Sequence, residues 1–311
     1  MNKQVLISVG GFVIRLFSGL HIRLDAGYSH FVCEPDRPSD IEVECLAGIP
    51  EGFLTGAERV FKAANSEKTF YTIYRTQAGL AFVVNDQNTK DEIQQLALLD
   101  DTLKTWKIWS KPVDDALEPL LFPMGPILFH YATLQGDAVM MHSSCVFDGE
   151  KGRLFSGFSG AGKSTISGLW VKAGATMIND DRVIIRHEQD AYYVYNTPMY
   201  YADVPKRTRL DAVYLISHAP ENKMTQRTGA LAVTGIMAFS IQNNYDARFV
   251  QHHLTFFSEM CQSVPVYDLG FVPDESVVKF VKASPHPSPK EKEASPLPKC
   301  RDLSKGEGVR H

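Results

Sequence analysis

The run LFSGFSGAGKSTISG, Leu154 to Gly168, constrains this chain more than any other stretch. Within it Gly157, Phe158, Ser159, Gly160, Ala161, Gly162, Lys163 and Ser164 fit G-x-x-x-x-G-K-[ST], and Thr165 follows directly. Such a loop needs a strand before it and a helix after it. RLFSG (153–157) reads as the strand, and Lys163 to Ala173 reads as the helix, with Gly174 as its stop. The glycines let successive backbone N–H groups turn inward around phosphate oxygens with no β-carbon in the way. Lys163 is placed to neutralise charge between the β- and γ-phosphates, and Ser164 to offer a hydroxyl to Mg²⁺. The helix N-terminus adds roughly half a positive charge. At average composition such a pattern arises by chance in roughly one chain of this length in a hundred. A phosphate cradle for ATP is therefore expected over residues 157–165.

A carboxylate pair sharpens that expectation. Asp180 and Asp181 follow the predicted helix and a short strand, ATMIND. The helix carries the chain about 16 Å away from the loop at 1.5 Å per residue. The strand from Ala175 brings it back by about 20 Å at 3.3 Å per residue. A right-handed β-α-β crossover thus returns both carboxylates to the level of the phosphates. One carboxylate can hold Mg²⁺, here given to Asp181 together with Ser164. The other can take a proton from an incoming hydroxyl. His142 is the third candidate. If AVMMHSSCVF (138–147) and RLFSG form a hairpin centred on residue 150, His142 falls beside Phe158 at the mouth of the loop. Catalytic roles are accordingly expected for Asp180, Asp181, His142 and Lys163. Lys206, Arg207 and Arg209 can clamp charge on the transferring group or form a solvated basic turn, and Asp203 is a weaker second metal ligand.

The rest of the chain supplies organisation rather than chemistry. Up to residue 112, β-branched and aromatic stretches alternate with Gly, Asp and Asn: QVLISVGGFVIRLF, HIRLDAG, IEVECLAG, TFYTIYRTQAGLAFVVND and TWKIWS. This part reads as a β-rich accessory domain with a hairpin around Gln77-Ala78-Gly79. Residues 114–135 read as a helix broken or kinked near Pro123 and Pro126. RVIIR, AYYVYN and AVYLIS are further strands. Residues 229–263 carry helical spacing, and VPVYDLGF with DESVVKFVK reads as a strand and a last helix. The tail, 283–311, is rich in Pro, Lys, Glu and Ser and is expected to be disordered.

A chain of 311 residues, 44% hydrophobic, with net charge −4, has room for two domains and no basic excess to suggest a nucleic-acid partner. Its five scattered cysteines form no C-x-x-C pair, which points to reduced thiols and a cytoplasmic protein. VLISVGGFVIRLF is interrupted by Arg15 and reads as strand, not as a signal peptide or a membrane span. Homo-oligomerisation is left open.

The stretch MHSSCVFDGEKGRLFSGFSGAGKSTISGLWVKAGATMINDDRVIIR, residues 141–186, resembles the catalytic domain of HPr kinase/phosphorylase, within the phosphoenolpyruvate carboxykinase-like group. That family has a histidine about fifteen positions before the loop, a G-x-S-G-x-G-K-S loop, and an Asp-Asp pair after a short helix and strand. The resemblance implies an α/β fold: a P-loop core with a mixed sheet over 113–282, preceded by the β-rich domain over 1–112. It also implies a kinase that uses Mg-ATP and a serine-type hydroxyl of a protein, peptide or amino acid. Carried over, Lys163 and Ser164 handle phosphate and metal, Asp180 and Asp181 share base and metal duties, and His142 lines the phosphoryl path. Two departures stand out. Ser143 replaces the family's glycine after the histidine, and TPMYYADVPKRTR (197–209) stands where the Glu-Ile-Arg-Gly signature of the phosphorylase belongs. A stand-alone kinase with its own acceptor is the reading. The alternatives are a carboxykinase-like enzyme and a non-catalytic ATP-binding regulatory module.

Overall fold

In the computed structural model, residues 3–65, 68–86, 92–241 and 244–284 are described. The tail expected to be disordered, with Cys300, lies almost wholly outside them. The chain is of the mixed α/β kind expected, and among the described residues it forms four sheets and five α-helices.

The first sheet has eight strands: β1 (Gln4–Val9), β2 (Phe12–Phe17), β4 (Ile41–Ala47), β5 (Glu58–Ala64), β6 (Thr69–Thr76), β7 (Gly79–Asn85), β8 (Ile93–Leu99) and β9 (Thr105–Ser110). The short β3 (His21–Ile22) pairs instead with β10 (Ala116–Leu117). A 3₁₀ turn, Ala26–Phe31, follows β3. The expected hairpin joins β6 to β7, with Thr76 opposite Gly79. β5 and β8 are strands that the pattern reading did not anticipate.

The helix expected over 114–135 is confined to α1 (Met124–Thr133). Pro123 sits at its N-cap and Pro126 within its first turn, positions that need no intrahelical N–H donor. The two prolines therefore mark where the helix starts and do not break it. α1 packs into the core of the first sheet, in which Phe82, Trp106 and Tyr131 are fully buried ring to ring. This core continues past residue 112: Ala138, Met140, Ile184 and Phe249 belong to it.

The stretch 138–147 is two strands, not one. β11 (Ala138–His142) joins a four-stranded sheet with β15 (Arg182–Glu188), β16 (Ala191–Asn196) and β17 (Arg207–Arg209). β12 (Ser144–Phe147) joins a six-stranded sheet in the order β14 (Thr176–Asn179), β12, β13 (Gly152–Ser156), β18 (Ala212–His218), β20 (Val266–Phe271), β19 (Lys223–Arg227). Ser143 is the crossing point: its N–H donates to the Asp181 carbonyl, 2.9 Å, and its hydroxyl to Ser156 Oγ, 3.0 Å. The continuous apolar run before it has a simple cause. Ala138 and Met140 face the first core, while Val139 and Met141 face the second, so both sides of β11 are buried.

The six-stranded sheet is also covered twice. The four-stranded sheet, α3 (Gly229–Met237) and α4 (Ala247–Ser263) close one face. α2 (Lys163–Lys172) and α5 (Ser276–Ala283) close the other, around Phe155, Trp170, Tyr214 and Val277. The helical stretch expected over 229–263 is thus two helices, and the Asp246 side chain caps the second by accepting from the Arg248 N–H. Under α2, buried Arg153 is satisfied from three sides: Asp148 at 2.7 Å, the Tyr214 hydroxyl at 2.7 Å and the Trp170 ring at 4.7 Å. Among the described residues, Cys33, Cys45, Cys145 and Cys261 form no disulfide. No described helix is long and apolar enough to cross a membrane.

Candidate active site

β13, β18 and β20 run parallel, and β14 runs the same way because both it and β13 pair antiparallel with β12. Their carboxyl ends therefore lie along one edge of the sheet, the edge at which open α/β sheets hold ligands. Residues 157–162 leave β13 there, Asp180 and Asp181 leave β14 there, and His218 and Phe271 end β18 and β20.

The loop has the local geometry of a cradle. Gly160 and Gly162 take φ of +80° and +94°, values that side-chain-bearing residues avoid. A β-carbon on Gly162 would also lie 2.9 Å from the Phe271 ring and 3.2 Å from His218. Gly162 is the N-cap of α2, and no side chain caps the helix, so its first N–H groups are left for a ligand. Lys163 Nζ bridges the loop, donating to the carbonyls of Gly157 at 3.1 Å and Phe158 at 3.3 Å. Phe158, Ser159 and Gly160 are exposed, Ala161 and Gly162 are half-buried, and Ser164 and Thr165 are exposed on the first turn of the helix. Buried hydroxyls brace that turn from behind: Ser144 and Ser167 both donate to the Lys163 carbonyl, at 3.2 and 2.9 Å.

Both aspartates return to this end of α2. Asp180 Oδ1 lies 3.2 Å from Ser167 Oγ, where it shares that hydroxyl's one hydrogen with the Lys163 carbonyl. Burial pushes the Lys163 ammonium below its ordinary value, and Asp181 and Asp180 act against that shift. Asp181 is held more tightly. Its Oδ1 lies 2.9 Å from His142 Nδ1, and its Oδ2 accepts from Arg182. Burial alone would raise the Asp181 carboxyl. The His142 hydrogen bond and the charges of Arg182, His142 and Lys163 outweigh it and hold the carboxyl below its ordinary value.

The position of His142 needs a correction. The hairpin of β12 with β13 pairs Ser144 with Phe155, so it is centred one half-residue from the expected point, and His142 lies outside it. His142 ends β11 opposite Arg182 in the other sheet. The switch of sheets at Ser143 takes it away from the register that would have set it beside Phe158 and onto Asp181. The basic segment is engaged elsewhere. Lys206 pairs with Asp203 at 2.9 Å, Arg207 with Glu188 at 3.0 Å, and Arg209 with Asp211 at 3.6 Å.

Ser167, Ser144 and Arg182 were not singled out from the sequence. Arg182 had a signal, its adjacency to the carboxylate pair, and Ser167 had one, its place one turn after Ser164. Among the described residues no group of three or more His, Cys, Asp or Glu could hold a metal by itself. An Mg²⁺ site made of one or two protein oxygens with phosphate oxygens and water needs no such group. The Ser164 hydroxyl and the carboxylate pair, beside the glycine loop, are oxygen donors that fit that set.

No family model matches the sequence, and no curated protein matches it. A solved structure that does match is the HPr(Ser) kinase/phosphatase from Coxiella burnetii. It has 11% identity and a TM-score of 0.28, over 46% of this chain and 95% of that one. The relationship is weak, and the case for the site rests on the chain's own residues.

Proposed function

We propose that this chain is an Mg-ATP-dependent kinase that transfers the γ-phosphoryl group to a serine-type hydroxyl. The observation that carries the proposal is the return of Asp180 and Asp181 to the N-terminal end of α2, beside a loop whose glycines, lysine and uncapped helix suit a triphosphate. Residues 157–165 hold the phosphates through backbone N–H groups, and Lys163 leaves the loop carbonyls to lie against the β- and γ-phosphates. Ser164 and Asp180 are the groups that would hold Mg²⁺, because Asp180 is the carboxylate joined to the first turns of α2. This assignment moves the metal role from Asp181 to its neighbour. When bound there, Mg²⁺ supplies charge neutralisation on the phosphate oxygens.

Asp181 is then the base. His142 and Arg182 fix its plane and keep it ionised. The acceptor oxygen forms a bond to the γ-phosphorus as the bond to the β–γ bridging oxygen breaks. ADP leaves with that electron pair, and the hydroxyl proton passes to Asp181. In a loose transition state this proton moves late, so a carboxylate of low basicity suffices provided it is correctly placed.

Incubation with γ-labelled ATP, Mg²⁺ and a pool of hydroxyl-bearing peptides and amino acids tests the proposal. Label in an acid-stable phosphoester supports it. ATP bound with label entering no acceptor overturns it in favour of a nucleotide-binding module.

A further inference from the structure

A cavity of about 410 Å³ has Asp181 and Arg182 in its wall, and among the described residues none of the phosphate loop lines it. The remaining wall comes from stretches far apart in sequence: Asp25 and Tyr28 after β3, Leu120 to Pro126 before and within α1, and Pro198 to Tyr200 after β16. These stretches are locked together. A β-carbon at Gly27 would collide with the Met199 carbonyl, and one at Gly125 with the Tyr28 hydroxyl, which itself donates to the Leu120 carbonyl at 3.2 Å. The wall is thus preformed, and the first 112 residues supply part of it.

Its chemistry is selective. The carboxylates Asp25 and Asp181 face one cation, Arg182, which Asp181 already holds. Asp25 is exposed, and among the described residues it forms no salt bridge. The other surfaces are apolar. Phe122 and Tyr200 stand 57% and 89% exposed at the rim, where an occupant would cover them. A second cavity of about 210 Å³, lined by Phe70, Tyr71 and Ile127, shares Phe122, Pro126 and Arg182 with the first. The two chambers share a wall and lie beside exposed aromatic rings, so an extended chain can set its hydroxyl in the first, an apolar side chain in the second, and cover the rings between.

We infer that this cavity is the acceptor site and that the acceptor is a peptide segment. Its hydroxyl lies at Asp181, a basic side chain near it pairs with Asp25, and an apolar side chain enters the second chamber. The inference rests on the kinase reading above and extends it to the acceptor.

The test uses the full chain with Mg-[γ-³²P]ATP and a positional library of serine and threonine peptides, beside free serine, threonine and ethanolamine. The expected result is label in peptides with a basic residue within a few positions of the hydroxyl. The Asp25→Arg variant is expected to reverse that preference, lowering kcat/KM for the basic peptides by about tenfold or more, with ATP affinity unchanged by calorimetry. Phe122→Ala is expected to raise KM for the selected peptide more than it lowers kcat. Label without preference for basic residues overturns the inference, as does a preference that Asp25→Arg leaves in place. Label in the free alcohols alone overturns the peptide acceptor but keeps the kinase. Label in nothing, with ATP bound, removes the kinase reading as well.

Discussion

Replacing Asp181 with Asn removes one negative charge and almost no volume, so its consequences can be separated. The first is chemical. If Asp181 accepts the hydroxyl proton, its loss costs about a hundred- to ten-thousandfold in rate, the usual contribution of a positioned general base. That is about 2.7 to 5.4 kcal/mol at 1.36 kcal/mol per decade. The second is electrostatic. Lys163 loses one of the two carboxylates that oppose the effect of burial, so its ammonium pKa falls further. The third is structural. Arg182 and His142 lose their anion, but their side chains are 27% and 47% exposed, so water takes up the loss. The stability cost should stay near about 1 kcal/mol, a Tm change of roughly 2–4 °C. Single-turnover transfer from γ-labelled ATP, with calorimetry of Mg-ATP binding on the same protein, reads the three apart. The expectation is transfer slowed at least about a hundredfold, with ATP affinity within roughly tenfold of the parent. Transfer within about threefold of the parent would refute the assignment of Asp181 as base.

Lys163→Met should weaken Mg-ATP binding by about ten- to a hundredfold, the loss of charge-assisted hydrogen bonds to phosphate, and calorimetry reads it directly. Unchanged affinity would mean that the lysine stays on its loop carbonyls when nucleotide binds. His142→Ala should shift the acidic limb of kcat/KM to higher pH. Activity needs the Asp181 carboxylate and is lost as pH falls through its folded-state pKa. Removing the His142 hydrogen bond lets that depressed value rise towards the ordinary carboxylate range. A limb that stays in place, or moves down, contradicts this. Arg153→Met should destabilise the fold by about 3–5 kcal/mol, because Asp148 is left as an uncompensated buried charge beneath α2. Urea denaturation measures it, and a cost under about 1 kcal/mol would show that Asp148 is satisfied by the backbone N–H groups of Glu150 and Lys151 alone.

The strand, loop, helix and returning strand around residues 153–181 were legible in the sequence because each is short and locally determined. Glycines at 157, 160, 162 and 174, and a carboxylate pair at the end of a β run, have few other uses together. What stayed hidden depended on partners far along the chain. β8, IQQLALL, is made of residues that favour helices, and becomes a strand only because β7 and β9 flank it. β5, ERVFKAA, is an edge strand with a mostly exposed, mixed surface and shows no alternation. The break at Ser143 falls in the polar triplet His142-Ser143-Ser144 between two short apolar runs, AVMM and CVF, and runs buried on both faces carry no alternation to show that the chain changes sheet there. The His142 to Asp181 contact follows from that break. The meeting of Asp25, Tyr28 and Met199 follows from two glycines whose value is visible only once the segments touch.

The central claim is that a triphosphate held at residues 157–165 delivers its terminal phosphoryl group to a hydroxyl beside Asp181. Mass spectrometry of the acceptor pool after incubation with Mg-ATP measures that event most directly. The account predicts a phosphoester on an acceptor hydroxyl with the parent chain, formed at least about a hundredfold more slowly with Asp181→Asn. A phosphoester formed equally well by Asp181→Asn, or ATP turned over with no acceptor modified, would contradict it.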